Sequence, residues 1–365
     1  MNTSNMNFCI ILAGGKGKRL WPYSTEKEPK QFVDFFGTGK TQLQDTFQRM
    51  ERIVGRDHIL VCTNREYVSL VKNQLQGIDD SHIVIEPVGR NTAPSVALAC
   101  MRIRKANPTI NPNVVVVPSD QLIRDENAFA DSIRRGFNFV SNHDQILNLG
   151  IMPSRPEPGY GYVQMGDNGE CEDVYRVQSF TEKPEREFAQ MFMNSGEFCW
   201  NTGMFISTVN TFRLSFDQMF PEMCEKLLEN CPDRDPVRVL DYVTSIYSSF
   251  PNLSIDYGVL ECCPNVSVMK CHFGWADLGT WHSVYECMKK GDNDNVTIDS
   301  NVMMENCHNN IIKIPKDKLA VINGLDGYIV VERDNVLLIC KKEDSSSLIR
   351  KYVNAVSIKY GDEYV

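Results

Sequence analysis

Three glycines and three cations lie within residues 14–19 of the string Leu12-Ala13-Gly14-Gly15-Lys16-Gly17-Lys18-Arg19-Leu20-Trp21-Pro22. Glycines let backbone approach a phosphate closely and aim amides at it, and Lys16, Lys18 and Arg19 add positive charge. A further cation, Lys30, stands in Pro29-Lys30-Gln31-Phe32. A bare G-x-G is weak evidence, and the dinucleotide fingerprint is incomplete because Leu20 occupies its third glycine position. Gly37-Thr38-Gly39-Lys40-Thr41 imitates the end of a P-loop, but Asp34 stands where the first glycine belongs and no strand directly precedes it. Asp120 follows the β-branched run 114–117, where a loop carboxylate can project into the crevice at a sheet's C-terminal edge. Asp277 lies in Gly274-Trp275-Ala276-Asp277, whose glycine and aromatic neighbours can fix a loop. Taken alone, a lone aspartate after a strand is a cap or turn former, and Lys183 in Glu182-Lys183-Pro184 is a solvated turn lysine.

These groups need a frame, and the first 150 residues supply alternating strand and helix signals. Continuous apolar runs at 8–13, 59–62, 83–85 and 114–117 predict buried strands. Helical spacing covers 42–53, 66–75 and 94–105, with Thr92 as an N-cap for the last. Repeated βα units of this kind indicate an α/β, Rossmann-like domain with a mixed, mainly parallel sheet. From Gly159 the chain becomes richer in strand signals, with a helix at 185–194 and mostly helical texture over 210–250. After Gly291 short strands are predicted at 310–314, 319–322, 328–331 and 336–340, separated by turn residues such as Asn323-Gly324 and Asp326-Gly327. The expected organisation is a catalytic domain over 1–290 and a small C-terminal β-rich, β-helix-like domain over 291–365.

Composition narrows the function classes. The 365 residues carry 38 Lys and Arg against 47 Asp and Glu, a net charge of −9 that disfavours a dedicated nucleic-acid binder. No apolar run is long enough to span a bilayer, and 8–13 is too short for a signal segment. Thirteen cysteines without a C-x-x-C predict reduced, packed thiols and a cytoplasmic protein, with Cys262 and Cys263 as strand-end core residues. His272 and His282, ten apart, match no zinc pattern, and Trp275 and Trp281 read as packing residues.

The string Leu-x-Gly-Gly-x-Gly-x-Arg-Leu-x-Pro with Pro-Lys downstream resembles the nucleotidyltransferases that make sugar nucleotides. Glu86-Pro87-Val88-Gly89-Arg90-Asn91-Thr92-Ala93-Pro94, Pro118-Ser119-Asp120, Gly159-Tyr160-Gly161-Tyr162 and Phe180-Thr181-Glu182-Lys183-Pro184 resemble the mannose-1-phosphate guanylyltransferase branch. So do Trp200-Asn201-Thr202-Gly203-Met204-Phe205, Ser254-Ile255-Asp256-Tyr257 and Gly274-Trp275-Ala276-Asp277-Leu278-Gly279-Thr280-Trp281. The agreement runs in order from residue 8 to 286. Gln121 departs from the histidine common after Ser-Asp, and Lys18 from a usual threonine. Many bacterial relatives carry a C-terminal isomerase domain. This sequence has about 75 residues after the expected boundary, so isomerase activity is not expected.

The resemblance implies transfer of GMP from GTP to mannose 1-phosphate, giving GDP-mannose and pyrophosphate. It implies Mg²⁺ held by Asp120 and Asp277, and a triphosphate neutralised by Arg19 and Lys30. It places the nucleotide against Leu12, Ala13, Gly14, Gly15, Gly17, Lys18 and Ser119, with Glu86, Asn91 and Thr92 as candidates for reading the base. Lys183 would meet the sugar phosphate, Glu182 and Asn201 the sugar hydroxyls, and Gly161 would let backbone approach the sugar. A homodimer built through the C-terminal segment is expected. Two alternatives stay open: the same chemistry on a heptose or other hexose 1-phosphate, and a non-catalytic GDP-mannose-binding regulator.

Overall fold

A computed structural model describes residues 6–169, 171–228, 231, 236–343 and 345–365. The chain forms two compact units, and they do not divide at 290/291. The first comprises Met1–Gly14, Thr46–Ser119 and Ile123–Trp275; the second comprises Gly15–Asp45, Asp120–Leu122 and Ala276–Val365. The glycine-rich loop, Asp120 and Asp277 therefore leave the expected catalytic domain and join the C-terminal segment.

The first unit is built on a nine-stranded sheet. Asn7–Leu12 pairs in parallel with Ile59–Asn64 on one side and Asn113–Pro118 on the other, and Ile83–Glu86 extends the parallel part. These strands are the expected apolar runs, buried on both faces because helices such as Thr92–Ala106 cover them. Beyond them the direction changes. Phe198–Thr208 runs antiparallel to both Asn113–Pro118 and Ile146–Ile151, and Gly161–Asn168 and Val174–Glu182 form an antiparallel pair at the far edge. Four of the sheet's pairings are parallel and five antiparallel, so the sheet is mixed but not mainly parallel. An apolar run reads alike in either direction, so sequence pattern does not reveal the reversal.

The helical texture of 210–250 resolves into Val209–Met219, Pro221–Leu228 and Pro236–Ile246, while residues 229–230 and 232–235 of that stretch lie outside the described residues. The thirteen thiols are free, and all but Cys171 and Cys262 are buried. Cys262 is thus exposed, not a core residue as expected: it follows the helical turn Asp256–Leu260, ahead of the strand Val266–Cys271. No helix among the described residues is long and apolar enough to cross a membrane.

In the second unit the C-terminal strands coil. Val296–Thr297, Ile311–Lys313 and Tyr328–Arg333 stack in parallel, and Val336–Lys341 closes this sheet antiparallel. A second parallel pair, Asn301–Glu305 with Leu319–Asn323, lies against its outer face through Val302, Met304, Ala320 and Ile322. The inner face, through Ile311, Ile329, Val331, Leu338 and Cys340, shares a core with Leu20, Trp21, Phe35, Trp281 and Val284. A 16-residue helix, Ser345–Tyr360, completes that core with Ile349 and Val353. This helix was not expected. Only Ser345, Ile349 and Val353 of it are buried.

Lys313 is buried in this unit at 3% exposure, its Nζ 4.5 Å from the Tyr23 ring centre and 5.6 Å from that of Phe35. Burial pulls its pKa down to about 8, although Asp299 and Asp34 favour the charged form. The unfolded chain therefore holds this proton to higher pH than the native one. The contribution of Lys313 to stability must then rise with pH between about 8 and the ordinary lysine value of 10.5. Urea unfolding of the wild type and Lys313→Met from about pH 7 to about pH 10 checks this. The wild type should gain on the variant above about pH 8, and parallel curves would contradict the linkage.

Candidate functional site

In the second unit, residues 15–45 return a cation to two carboxylates. Asp120 directly precedes the short strand Gln121–Ile123, and Asp277 ends the short strand Trp275–Asp277. These two strands pair and bring the aspartates near each other. Lys30 Nζ lies 2.6 Å from Asp120 Oδ2 and 3.8 Å from Asp277 Oδ1. Burial works against the ammonium, but the two carboxylates outweigh it and hold the pKa of Lys30 above the ordinary lysine value. Gly17, at φ +61°, is needed for this approach, since a Cβ there would sit 2.9 Å from Lys30 Cγ. Gln31 Nε2 donates to Gly15 O at 2.9 Å, tying the loop to the segment that carries Lys30.

Gly279 makes room for a fourth charge. A Cβ at that position would lie 3.0 Å from Asp277 Oδ2 and 3.1 Å from an Arg19 terminal nitrogen. Arg19, Lys30, Asp120 and Asp277 thus come together, whereas Lys16 and Lys18 turn to Glu26. The donor set fits Mg²⁺: both carboxylates are part-exposed and already face one cation, the Lys30 ammonium. Mg²⁺ takes one or two carboxylates and completes its octahedron with water and phosphate oxygens. Among the described residues no cluster of three or more metal-ligating side chains provides a closed cage.

The first unit gathers a different set on its antiparallel strands. Gly161 faces Glu182 on one neighbouring strand and Asn201 on the other. A Cβ on Gly161 would meet Glu182 Oε2 at 2.5 Å, so a side chain there would displace that carboxylate from over the strand. Lys183, held at φ +53°, ion-pairs with Glu182. Asn201 Oδ1 accepts from Asn148 Nδ2 at 3.0 Å and Gly203 N–H at 2.9 Å, which makes Nδ2 the donor, to Asp256 Oδ1 at 2.8 Å. Burial raises the pKa of Asp256, its bond from Asn201 lowers it, and nearby Glu182 raises it further. The cluster offers carboxylate acceptors beside an amide and an ammonium, a combination suited to hydroxyl and phosphate groups.

The root of the glycine-rich loop also lies in the first unit. Leu12 O accepts from Ser119 N–H, Ala13 O from Thr63 Oγ1 at 3.1 Å, and Gly14 O from Asn64 Nδ2 at 2.8 Å. Beneath Gly14 sits buried Glu86, whose Oε1 accepts from Ser95 Oγ at 3.0 Å and Oε2 from the Tyr247 hydroxyl at 3.1 Å. Burial lifts its pKa, against those two bonds. Each carboxylate oxygen accepts one hydroxyl, and Oε1 lies close to Gly14. Thr92 does not cap its helix; Asn91 takes that position at φ +64° without a side-chain cap bond. The Thr92 hydroxyl instead accepts Ile255 N–H at 2.9 Å, anchoring the residue before Asp256.

Sequence reasoning missed Asp256, Asn148 and Gly279 as site residues. Asp256 and Gly279 lie inside motif strings and could have been found there. Asn148 carries its own signal, a polar side chain in an otherwise apolar strand, Ile146–Ile151, where burial demands a partner.

Comparison with known proteins places this geometry. The nucleotidyl transferase family model matches residues 8–293. Mannose-1-phosphate guanylyltransferase RfbM of Salmonella typhimurium is 32% identical over 97% of this chain and 73% of its own length. The alginate biosynthesis protein AlgA of Pseudomonas aeruginosa is 34% identical over 92% of this chain and 69% of its own. Among solved structures, one described as a mannose-1-phosphate geranyltransferase from Thermus thermophilus superimposes with TM-score 0.84 at 26% identity, covering 96% of this chain and 99% of that one. By family model, by relatives across nearly its whole length and by fold, the chain belongs to the nucleotidyl transferase family, in its mannose-1-phosphate guanylyltransferase-like branch.

Proposed function

We propose that the protein transfers GMP from GTP to α-D-mannose 1-phosphate, releasing pyrophosphate and forming GDP-mannose. The convergence of Lys30, Asp120 and Asp277 carries this reading, and relatives such as RfbM supply the substrate pair. An oxygen of the sugar phosphate attacks the α-phosphorus in line. The new P–O bond forms as the bond to pyrophosphate breaks. The nucleophile is already anionic, so no activated serine or cysteine is needed, and the barrier lies in bringing two polyanions together.

Arg19 and Lys30 neutralise the triphosphate and the departing pyrophosphate, each charge-assisted contact contributing on the order of 1.5–3 kcal/mol. Asp120 and Asp277 would hold Mg²⁺, whose chemistry is to screen the phosphates and stabilise charge at the reacting centre. Gly14, Gly15 and Gly17 give backbone access to the nucleotide, and Lys18 and Ser119 are further contacts to it. Glu86, Asn91 and Thr92 are the side-chain candidates near the base. Glu182 and Asn201 orient sugar hydroxyls, with Asp256 as a further acceptor, while Lys183 meets the sugar phosphate as a point charge.

A pyrophosphate-release assay crossing the common nucleoside triphosphates with several sugar 1-phosphates tests the reading. GTP with mannose 1-phosphate should turn over fastest, and Asp120→Asn and Asp277→Asn should each lose on the order of a hundredfold or more in folded protein. Turnover that prefers another pair would move the substrate assignment, and a folded, fully active Asp277→Asn would remove that residue from the centre.

The C-terminal strands also support a homodimer as this protein's form. Met303, Leu319, Val321, Leu337 and Ile339 are large apolar side chains left exposed there. Light scattering on the full chain at micromolar concentration should report twice the 41.6 kDa chain mass. A monomer under those conditions contradicts the dimer.

A further inference from the structure

The sheet of the second unit grips the segment that carries Lys30 on both sides of that residue. Residues 15–41 contain only the three-residue helical turns Lys18–Leu20 and Lys30–Phe32 as regular structure. Residues after 280 add further contacts. Arg333, on the strand Tyr328–Arg333, ion-pairs with Glu28, donates to Tyr23 O, and lies 5.6 Å from the Tyr23 ring centre. Glu28 closes a turn with Thr25 through two hydrogen bonds of 3.1 Å, two residues before Lys30. Lys313 stands over Tyr23 and Phe35 from the neighbouring strand.

The grip extends further along the segment. Asp299 lies so close to Gly37 that a Cβ there would come within 2.1 Å of Oδ2. Trp21 Nε1 donates to Tyr364 O at 2.7 Å, and Trp21 O accepts from Trp281 Nε1 at 3.2 Å. Trp21, Tyr23 and Glu28 are therefore each held from the C-terminal side, and Gly37 lies against Asp299 beyond Lys30.

We infer that Arg333 is a positioning residue for the phosphate chemistry, acting through Glu28 and Tyr23 to hold Lys30 against Asp120 and Asp277. The C-terminal strands are then part of the catalytic apparatus within a single chain, not only a surface for a second copy. The positioning claim stands on the contacts themselves; its consequence for turnover rests on the function proposed above. A bidentate guanidinium suits the task, since one arm takes a carboxylate and the other a carbonyl, and a lysine can satisfy only part of that pattern.

Hydrogen–deuterium exchange on the full-length protein tests the grip without reference to activity. In Arg333→Met, peptides spanning residues 18–36 should exchange faster, while peptides of the parallel strand Asn113–Pro118 should not change. Arg333→Lys should restore protection in part. If Arg333→Met does not fold, Glu28→Gln, which keeps the shape and removes the charge on the other side, should produce the same local pattern. Unchanged exchange at 18–36 in a folded variant, or a uniform rise across the chain, would overturn the proposal. In steady-state kinetics, Arg333→Met should raise KM for GTP on the order of tenfold and leave KM for mannose 1-phosphate within about twofold. A wild type inactive on that pair would refute the proposed function, while the exchange pattern would still decide the role of Arg333.

Discussion

One ammonium between two carboxylates organises this protein. Lys30, Asp120 and Asp277 come from three stretches of chain that have little structure of their own, and each charge would be costly to bury alone. Together they balance: Lys30 stays charged despite burial because Asp120 and Asp277 surround it. With the Arg19 guanidinium beside Asp277, two cations face two carboxylates. Glycine appears wherever the groups crowd, at Gly17 beside Lys30 and at Gly279 beside Asp277 and Arg19.

That arrangement explains why the compact units cut across the expected domains. Residues 15–41 carry Lys30 with little regular structure of their own, and the C-terminal coil supports them through a shared core that joins Leu20, Trp21 and Phe35 to Ile311, Ile329 and Val331. The first unit solves a different problem. Its parallel strands pin the root of the loop at Leu12, Ala13 and Gly14, and its antiparallel strands assemble Gly161, Glu182, Asn201 and Asp256 into one polar group. In the second group the orientation of every amide follows from its neighbours, so the donors and acceptors offered to a ligand are set before it binds.

Much of this was legible in the sequence. The apolar runs at 8–13, 59–62, 83–85 and 114–117 became strands because full burial on both faces selects such runs. The charged residues of the centre were legible only through the family resemblance, since spacing alone reads Asp120 as a cap or turn former. What escaped was tertiary. Antiparallel entry of Phe198–Thr208 leaves no mark on hydrophobic pattern, and Ser345–Tyr360 folds as a helix through contacts with the core around Trp21 and Trp281. Thr92 looked like a cap, but Asn91 holds that position and the Thr92 hydroxyl serves Ile255. Asp256 was quoted within a motif, yet only the fold shows it bonded to Asn201.

In the proposed reaction, Asp120 and Asp277 present a cation to the phosphates of a bound nucleotide. Water-proton relaxation titrations with Mn²⁺, standing in for Mg²⁺, measure this in the presence of saturating GTP. The wild type should form a ternary complex of protein, nucleotide and metal, and the folded double variant Asp120→Asn/Asp277→Asn should bind the metal–nucleotide complex at least about tenfold more weakly. Equal ternary affinity in the two proteins would contradict that role.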